Sequence, residues 1–190
     1  MQYALGQIAT VPNIITIIRL LMVPSIVWLT LREQHVTAFW LFAIAGIGDA
    51  VDGFLARQFN LKSWLGAFLD PLADKALLVS IYVALTFLGQ LPVWLTLLVV
   101  GRDVLIVVGV SVAWFRGRPV EMRPLPISKV NTLAQVVLAA IVLADLAFLM
   151  DLGWLRQALI VLVGLLVIGS TVAYAMEWAR HFGKPEATSV

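Results

Sequence analysis

The sequence contains no cysteine, which excludes disulfides, thiol catalysis and cysteine-bound metals together. Histidine is nearly missing. His35 and His181 lie far apart, so neither an imidazole metal cluster nor a Ser-His-Asp triad is expected. Charge is scarce: Lys, Arg, Asp and Glu make up 13% of the chain, against ~25% in a typical soluble domain. The net charge of +2 is too small to suggest nucleic acid as a partner, although it suits loops that face anionic lipid heads. No internal repeat, low-complexity tract or long linker interrupts the 190 residues, so one membrane domain is expected over residues 1–190. The N-terminus has no basic segment followed by a small-residue cleavage site, so no cleaved signal or transit peptide is expected.

Apolar residues are present in excess. They make up 62% of the chain, against roughly 45–50% in soluble domains, and the mean hydropathy is +0.99. Such a chain cannot cover its own surface in water, and an integral membrane protein is expected. A helix needs ~20 apolar residues to cross the hydrocarbon core. Six runs meet this length, at about Asn13–Leu31, Val36–Leu55, Leu65–Leu88, Pro92–Phe115, Val130–Met150 and Trp154–Trp178. They are continuous, without the period-2 alternation of a barrel, so the fold class is all-α with six transmembrane helices. Arg57, Lys62, Arg116, Arg118, Arg123, Lys129, Arg180 and Lys184 fall on one side of these spans, and Arg32 and Arg156 on the other. This asymmetry places both termini in the cytoplasm. Residues 1–10, with Tyr3, are either an amphipathic surface segment or a disordered start. Trp28, Trp40, Trp94, Trp154 and Trp178 sit near span ends, as interfacial anchors do.

Ionisable residues within membrane spans are costly and mark function by default. Asp49 and Asp52 lie three residues apart near the cytoplasmic end of the second run, and Asp70 and Asp74 four apart near the start of the third. Each pair shares a helix face. The short connection makes the two helices antiparallel neighbours, so the pairs can face each other at one depth. Four carboxylates in a low-dielectric pocket cannot all ionise unaided, so protons or cations must neutralise them. Oxygen ligands suit Mg²⁺, Mn²⁺ or Ca²⁺, and two divalent ions would balance four charges. Gly46, Gly48, Gly53, Ala56 and Gly66 flank the acids, either for close ligand approach or for helix packing. Arg57 either snorkels to lipid heads or holds a phosphate in bidentate fashion.

The string Asp49-x-x-Asp52-Gly53-x-x-Ala56-Arg57, eight residues, Gly66-x-x-x-Asp70-x-x-x-Asp74 resembles the signature of the CDP-alcohol phosphotransferases at every defining position. The similarity runs from the opening Val-Pro-Asn-Ile-Ile-Thr-Ile-Ile-Arg to about Gln135. The resemblance implies six transmembrane helices, a homodimer, and transfer of a substituted phosphate from a CDP-linked donor to an alcohol with release of CMP. It implies that Asp49, Asp52 and Asp70 bind two divalent metal ions, Mg²⁺ or Mn²⁺, with Asp74 at the edge of the pair. Asp74 also takes the general-base role. The cytidine diphosphate pocket would then be lined by Asp52, Gly53, Ala56, Arg57, Gly66 and Asp70. The active site would open to the cytoplasmic side, in what is expected to be a bacterial inner (plasma) membrane.

Two later segments bear on the acceptor. Leu69 to Lys75 is similar to the branch that uses CDP-diacylglycerol. Gly101-Arg102-Asp103-Val104 and Pro126-Ile-Ser-Lys129-Val-Asn131-Thr132 resemble the cardiolipin-forming members of that branch. The members that form phosphatidylglycerophosphate carry a second lysine where this chain has Asn131. The expected acceptor is therefore phosphatidylglycerol, bound by Arg102, Lys129 and Asn131, with glycerol 3-phosphate as the alternative. An ordinary positive-inside flank also explains Lys129. Arg102, near mid-span, needs a partner or a water path. Asp145 is read as a polar residue at a span end. A rival reading from another class is a transporter that uses the four aspartates as a cation or proton pathway. It accounts for the carboxylates but not for their spacing to Arg57 and Gly66.

Overall fold

A computed structural model describes residues 11–58, 64–115 and 126–182, with side chains described at 16–48, 72–109, 126–176 and 178. Residues 1–10 and the connections that carry Lys62, Arg116, Arg118 and Arg123 lie outside it, as does Lys184. Among the described residues there are six helices and no strand. They are α1 (Val11–Leu31), α2 (His35–Gln58), α3 (Trp64–Phe87), α4 (Val93–Phe115), α5 (Pro126–Phe148) and α6 (Gly153–Phe182). The all-α class is as expected, and each helix overlaps one apolar run. The largest shift of a helix start is at α5, which begins at Pro126, four residues before the expected start at Val130. Proline is pre-organised for a first helical position, and hydropathy marks only the hydrocarbon-facing part of a helix. Ser128 and Lys129 therefore lie in the first turn of α5.

By length and composition, Pro126–Phe148 and Gly153–Met176 are apolar enough to cross a membrane. Thr16–Leu31 and His35–Gly48 are shorter apolar stretches. Large apolar side chains stand exposed along the helices, among them Leu21, Ile44, Ile47, Leu97, Val104 and Leu165. Apolar exposure of this extent fits lipid as the surrounding solvent.

Two compact units share the chain. The first comprises residues 1–91 and 139–153. In it α1 packs on both α2 and α3. The buried residues of α1 are Thr16, Arg19, Val23, Ile26, Leu29 and Thr30, and all but Leu29 follow a 3–4 spacing along one stripe. Ala38, Phe42 and Ala45 are the buried face of α2; Ala73, Leu77, Ile81 and Leu85 belong to that of α3. The small alanines let backbones come close, which is how helices associate where lipid removes the hydrophobic drive. Phe39 of α2 meets Phe148 edge to face at 5.3 Å.

The turns explain the helix ends. After α3, Gly89 adopts φ +71° while Gln90 N–H donates to Leu85 O and Gly89 N–H to Thr86 O, each at 2.9 Å. This is a Schellman motif, with Pro92 following to prevent continuation. After α5, Asp145 accepts a hydrogen bond from Leu152 N–H at 2.9 Å, which gives this span-end acid a capping role.

The second unit comprises residues 92–138 and 154–190. Its buried stripe uses Leu95, Val99 and Arg102 of α4, Asn131, Ala134 and Leu138 of α5, and Ile160, Val163, Val167 and Ser170 of α6. Trp28, Trp40, Trp94 and Trp154 are exposed as anchors should be. Trp178 differs: its indole lies on Gly109, where an added Cβ would fall 1.1 Å from the ring. Gly109→Ala should therefore displace Trp178 and lower the melting temperature in detergent. Gly46→Ala, whose new methyl meets no described side chain within 4 Å, should not. Thermal unfolding of both variants followed by tryptophan fluorescence checks this.

Candidate functional site

Helices α2 and α3 carry the signature. Asp49, Asp52, Gly53, Ala56 and Arg57 lie on α2, and Gly66, Asp70 and Asp74 on α3. Of these, the side chain of Asp74 alone is described; the others lie outside the described side chains. Among the described residues no three His, Asp or Glu side chains gather as a metal site.

Asp74 has a partner that sequence reasoning did not single out. Arg19 of α1 donates from Nη1 to Asp74 Oδ1 at 2.9 Å, across 55 residues of chain. The Arg19 side chain is 3% exposed and that of Asp74 40%. Arg19 stands one step along the α1 stripe from Thr16, which is also buried. A signal for it existed. Arg19 is an arginine inside an apolar run, so the rule that flags Arg102 also applies to it. It also closes the opening segment of the family resemblance.

The second unit places Arg102, Asn131 and Lys129. Arg102 is 6% exposed and links three helices. Its Nη1 donates to Asp103 at 2.6 Å. Its Nη2 donates to Ser128 of α5, and to Ser170 of α6 at 3.1 Å. The guanidinium stands 5.6 Å from the Tyr174 ring centroid, a cation–π distance. Ser128, Ser170 and Tyr174 were not expected as partners; Ser128 lies within the Pro126–Thr132 segment already singled out, and no motif marks Ser170 or Tyr174. A mid-span arginine does have partners here, as its cost demands. Its Nε is buried without a hydrogen bond. An open cavity of about 110 Å³ lies beside it, lined by Leu105, Ile106, Thr171, Tyr174 and Trp178 as well as Arg102 itself.

Asn131 is fully buried, and neither amide atom has a hydrogen-bond partner. Such a group bears a desolvation cost of about 1–3 kcal/mol, which is tolerated where a site needs it. Lys129 is exposed. The three expected acceptor residues thus occupy three environments: a paired internal cation, an orphaned internal amide and a solvent- or headgroup-facing cation.

Comparison with known proteins decides the family. Residues 9–179 match the model of the CDP-alcohol phosphatidyltransferases. The chain belongs to this family. It is 37% identical over 155 residues to a cardiolipin synthase (CMP-forming) of Rattus norvegicus, covering 73% of this chain and 51% of that protein. It is 33% identical over 194 residues to the chloroplastic CDP-diacylglycerol–glycerol-3-phosphate 3-phosphatidyltransferase 1 of Oryza sativa subsp. japonica, covering 89% of this chain and 57% of that one. A Schizosaccharomyces pombe cardiolipin synthase (CMP-forming)/mitochondrial hydrolase fusion protein is 34% identical over 195 residues, covering 94% of this chain and 33% of the fusion. The chain therefore spans between a third and just over half of the length of these relatives.

The position of Arg102 in this phosphatidyltransferase makes a stability prediction. Arg102→Leu removes the guanidinium that bonds Asp103, Ser128 and Ser170 and should cost about 3–5 kcal/mol. Lys129→Ala, at an exposed site, should stay within ~0.5 kcal/mol. Unfolding of purified protein in detergent checks the contrast.

Proposed function

We propose that this phosphatidyltransferase transfers the phosphatidyl group of CDP-diacylglycerol to phosphatidylglycerol, giving cardiolipin and CMP. The observation that carries the class of reaction is the complete signature from Asp49 to Asp74 within the family match. The acceptor follows from the relatives named cardiolipin synthase and from Asn131 standing where the other branch places lysine. Glycerol 3-phosphate is the second reading, supported by the rice relative named for that acceptor. A cation or proton pathway explains the carboxylates alone and leaves Arg57 and Gly66 without a role.

The donor set of the signature consists of carboxylate oxygens, and Asp74, the described member, keeps part of its surface open. Such a set fits a hard divalent ion, Mg²⁺ or Mn²⁺. Asp49, Asp52 and Asp70 would hold a pair of ions, with Asp74 at the edge. When bound, they would neutralise charge on the diphosphate. Gly53, Ala56, Arg57 and Gly66 belong to the cytidine diphosphate pocket in this reading, together with Asp52 and Asp70. Asp74 takes the proton of the acceptor hydroxyl. The hydroxyl oxygen forms a bond to the phosphorus that carries the diacylglycerol, the bond from that phosphorus to the bridging oxygen breaks, and CMP leaves with the electron pair. Holding acceptor and phosphorus in line supplies much of the acceleration. Arg102, Lys129 and Asn131 are proposed to receive the acceptor. The six helices are proposed to be six spans of a homodimeric, single-domain membrane enzyme. Both termini and the site lie on the cytoplasmic side of a bacterial inner membrane in this reading.

Purified protein with CDP-diacylglycerol and each acceptor in turn, with lipid products resolved by mass, tests the assignment. Cardiolipin is expected from phosphatidylglycerol. Phosphatidylglycerophosphate from glycerol 3-phosphate, with no cardiolipin, would reverse the acceptor assignment. EDTA should silence the enzyme and Mg²⁺ or Mn²⁺ restore it. Asp49→Asn, Asp52→Asn and Asp70→Asn should each abolish CMP release from folded protein. Asp74→Asn should keep donor binding and lose transfer by about 10²–10⁴-fold, the usual contribution of a general base.

A further inference from the structure

Arg19 is the buried charge of α1 among the described side chains, and it comes from outside the signature to meet the signature's last aspartate. A cation buried in a span needs a counter-charge. Many carboxylates could serve that purpose by being buried along with it. Here the burial is lopsided. The guanidinium is enclosed at 3% exposure, while the carboxylate it grips remains 40% exposed. A bond made only to dock α1 on α3 has no use for that open side. An aspartate held through Oδ1 while part of its side chain stays accessible is an arrangement that suits a proton acceptor.

The choice of arginine points the same way. A guanidinium is planar and donates along fixed directions, so one N–H bond to Oδ1 constrains where the carboxylate lies. An ammonium on a flexible stem would supply charge with less direction. The donor also sits on a well-anchored helix. Thr16, Val23, Ile26 and Thr30 continue the same stripe of α1 and are buried, so the grip is tied to the packed face and not to a loop.

We infer that Arg19 is a positioning residue for Asp74, holding the carboxylate in the orientation from which it takes the acceptor's proton. This rests on the reading of Asp74 as the base. Arg19 touches neither acceptor nor donor in this role; it acts through Asp74.

The test is a kinetic double-mutant cycle on purified protein, with CDP-diacylglycerol and phosphatidylglycerol as substrates and CMP release as readout. Arg19→Gln should lower kcat by about 10²-fold, the loss that a misplacement of about 1 Å can cause. The KM for CDP-diacylglycerol should stay within about threefold. In the Asp74→Asn background the same change should cost little more, because residues that act as one unit are not additive. Arg19→Lys keeps the charge and so should fold even if Arg19→Gln does not. Its kcat should lie between the wild type and Arg19→Gln. Wild-type kcat in Arg19→Lys would show that charge balance alone is needed and would overturn the inference. Full additivity with Asp74→Asn would overturn it, as would a rise in donor KM without a fall in kcat. If the wild type itself releases no CMP from CDP-diacylglycerol, the proposed function fails and takes this inference with it. An active wild type with an indifferent Arg19 defeats the inference alone.

Discussion

A charge placed inside an apolar helix bundle must be answered by another charge, and that constraint organises the first unit of this protein. Arg19 is enclosed on the packed face of α1, and Asp74 of α3 answers it at 2.9 Å. Removing Asp74 would take this counter-charge from an enclosed arginine, and a buried ion is far more costly to leave uncompensated than an exposed one. The pair therefore binds α1 to the helix that carries Gly66, Asp70 and Asp74 of the signature. The buried apolar residues of the same helices, Val23 and Ile26 of α1 and Leu77 and Ile81 of α3, fill space and supply area but select no register. The ion pair does select one, because a guanidinium and a carboxylate meet at a defined distance and direction.

The second unit solves the same problem differently. Arg102 has its own neighbour Asp103 as counter-ion and spreads its remaining donors to Ser128 and Ser170, with Tyr174 beneath the guanidinium plane. One side chain thus connects α4, α5 and α6. Neutral hydroxyls and an aromatic face share the work, so the charge is satisfied without a long-range acid. Among the described residues the orphan atoms, Arg102 Nε, Trp178 Nε1 and both amide atoms of Asn131, are where this unit bears an unrecovered desolvation cost. Unsatisfied buried polar atoms are uncommon in folded proteins, and each calls for a specific explanation such as strain, a bound water or ion, or a role in the chemistry.

The helices were legible in the sequence because lipid imposes a simple rule: a run of ~20 apolar residues forms a helix that satisfies its own backbone. The signature was equally legible, since its chemistry depends on residue type and spacing. The start of α5 was less so. Hydropathy reports the hydrocarbon-facing stretch, while Pro126 begins the helix in polar company, which carries Ser128 into reach of Arg102. Asp145 was read as a polar span end and proved to cap the turn after α5 through Leu152 N–H. Trp178 was read as an anchor like the other tryptophans, yet it packs on Gly109. A tryptophan at a span end carries no local mark of which neighbour has left room for it.

By itself the sequence determined an apolar, all-helical member of the CDP-alcohol phosphatidyltransferase family with four aspartates at set spacing, because composition, hydrophobic runs and motif spacing are all local properties of the chain. Tertiary structure alone decided which partner each buried charge meets. Arg19 and Asp74 are separated by 55 residues, and Arg102 and Ser170 by 68. Nothing in either flanking sequence encodes the other, since pairing at that range depends on how helix faces pack. The same packing encloses Arg19 while leaving the Asp74 side chain 40% exposed, and the proposed positioning role rests on that difference.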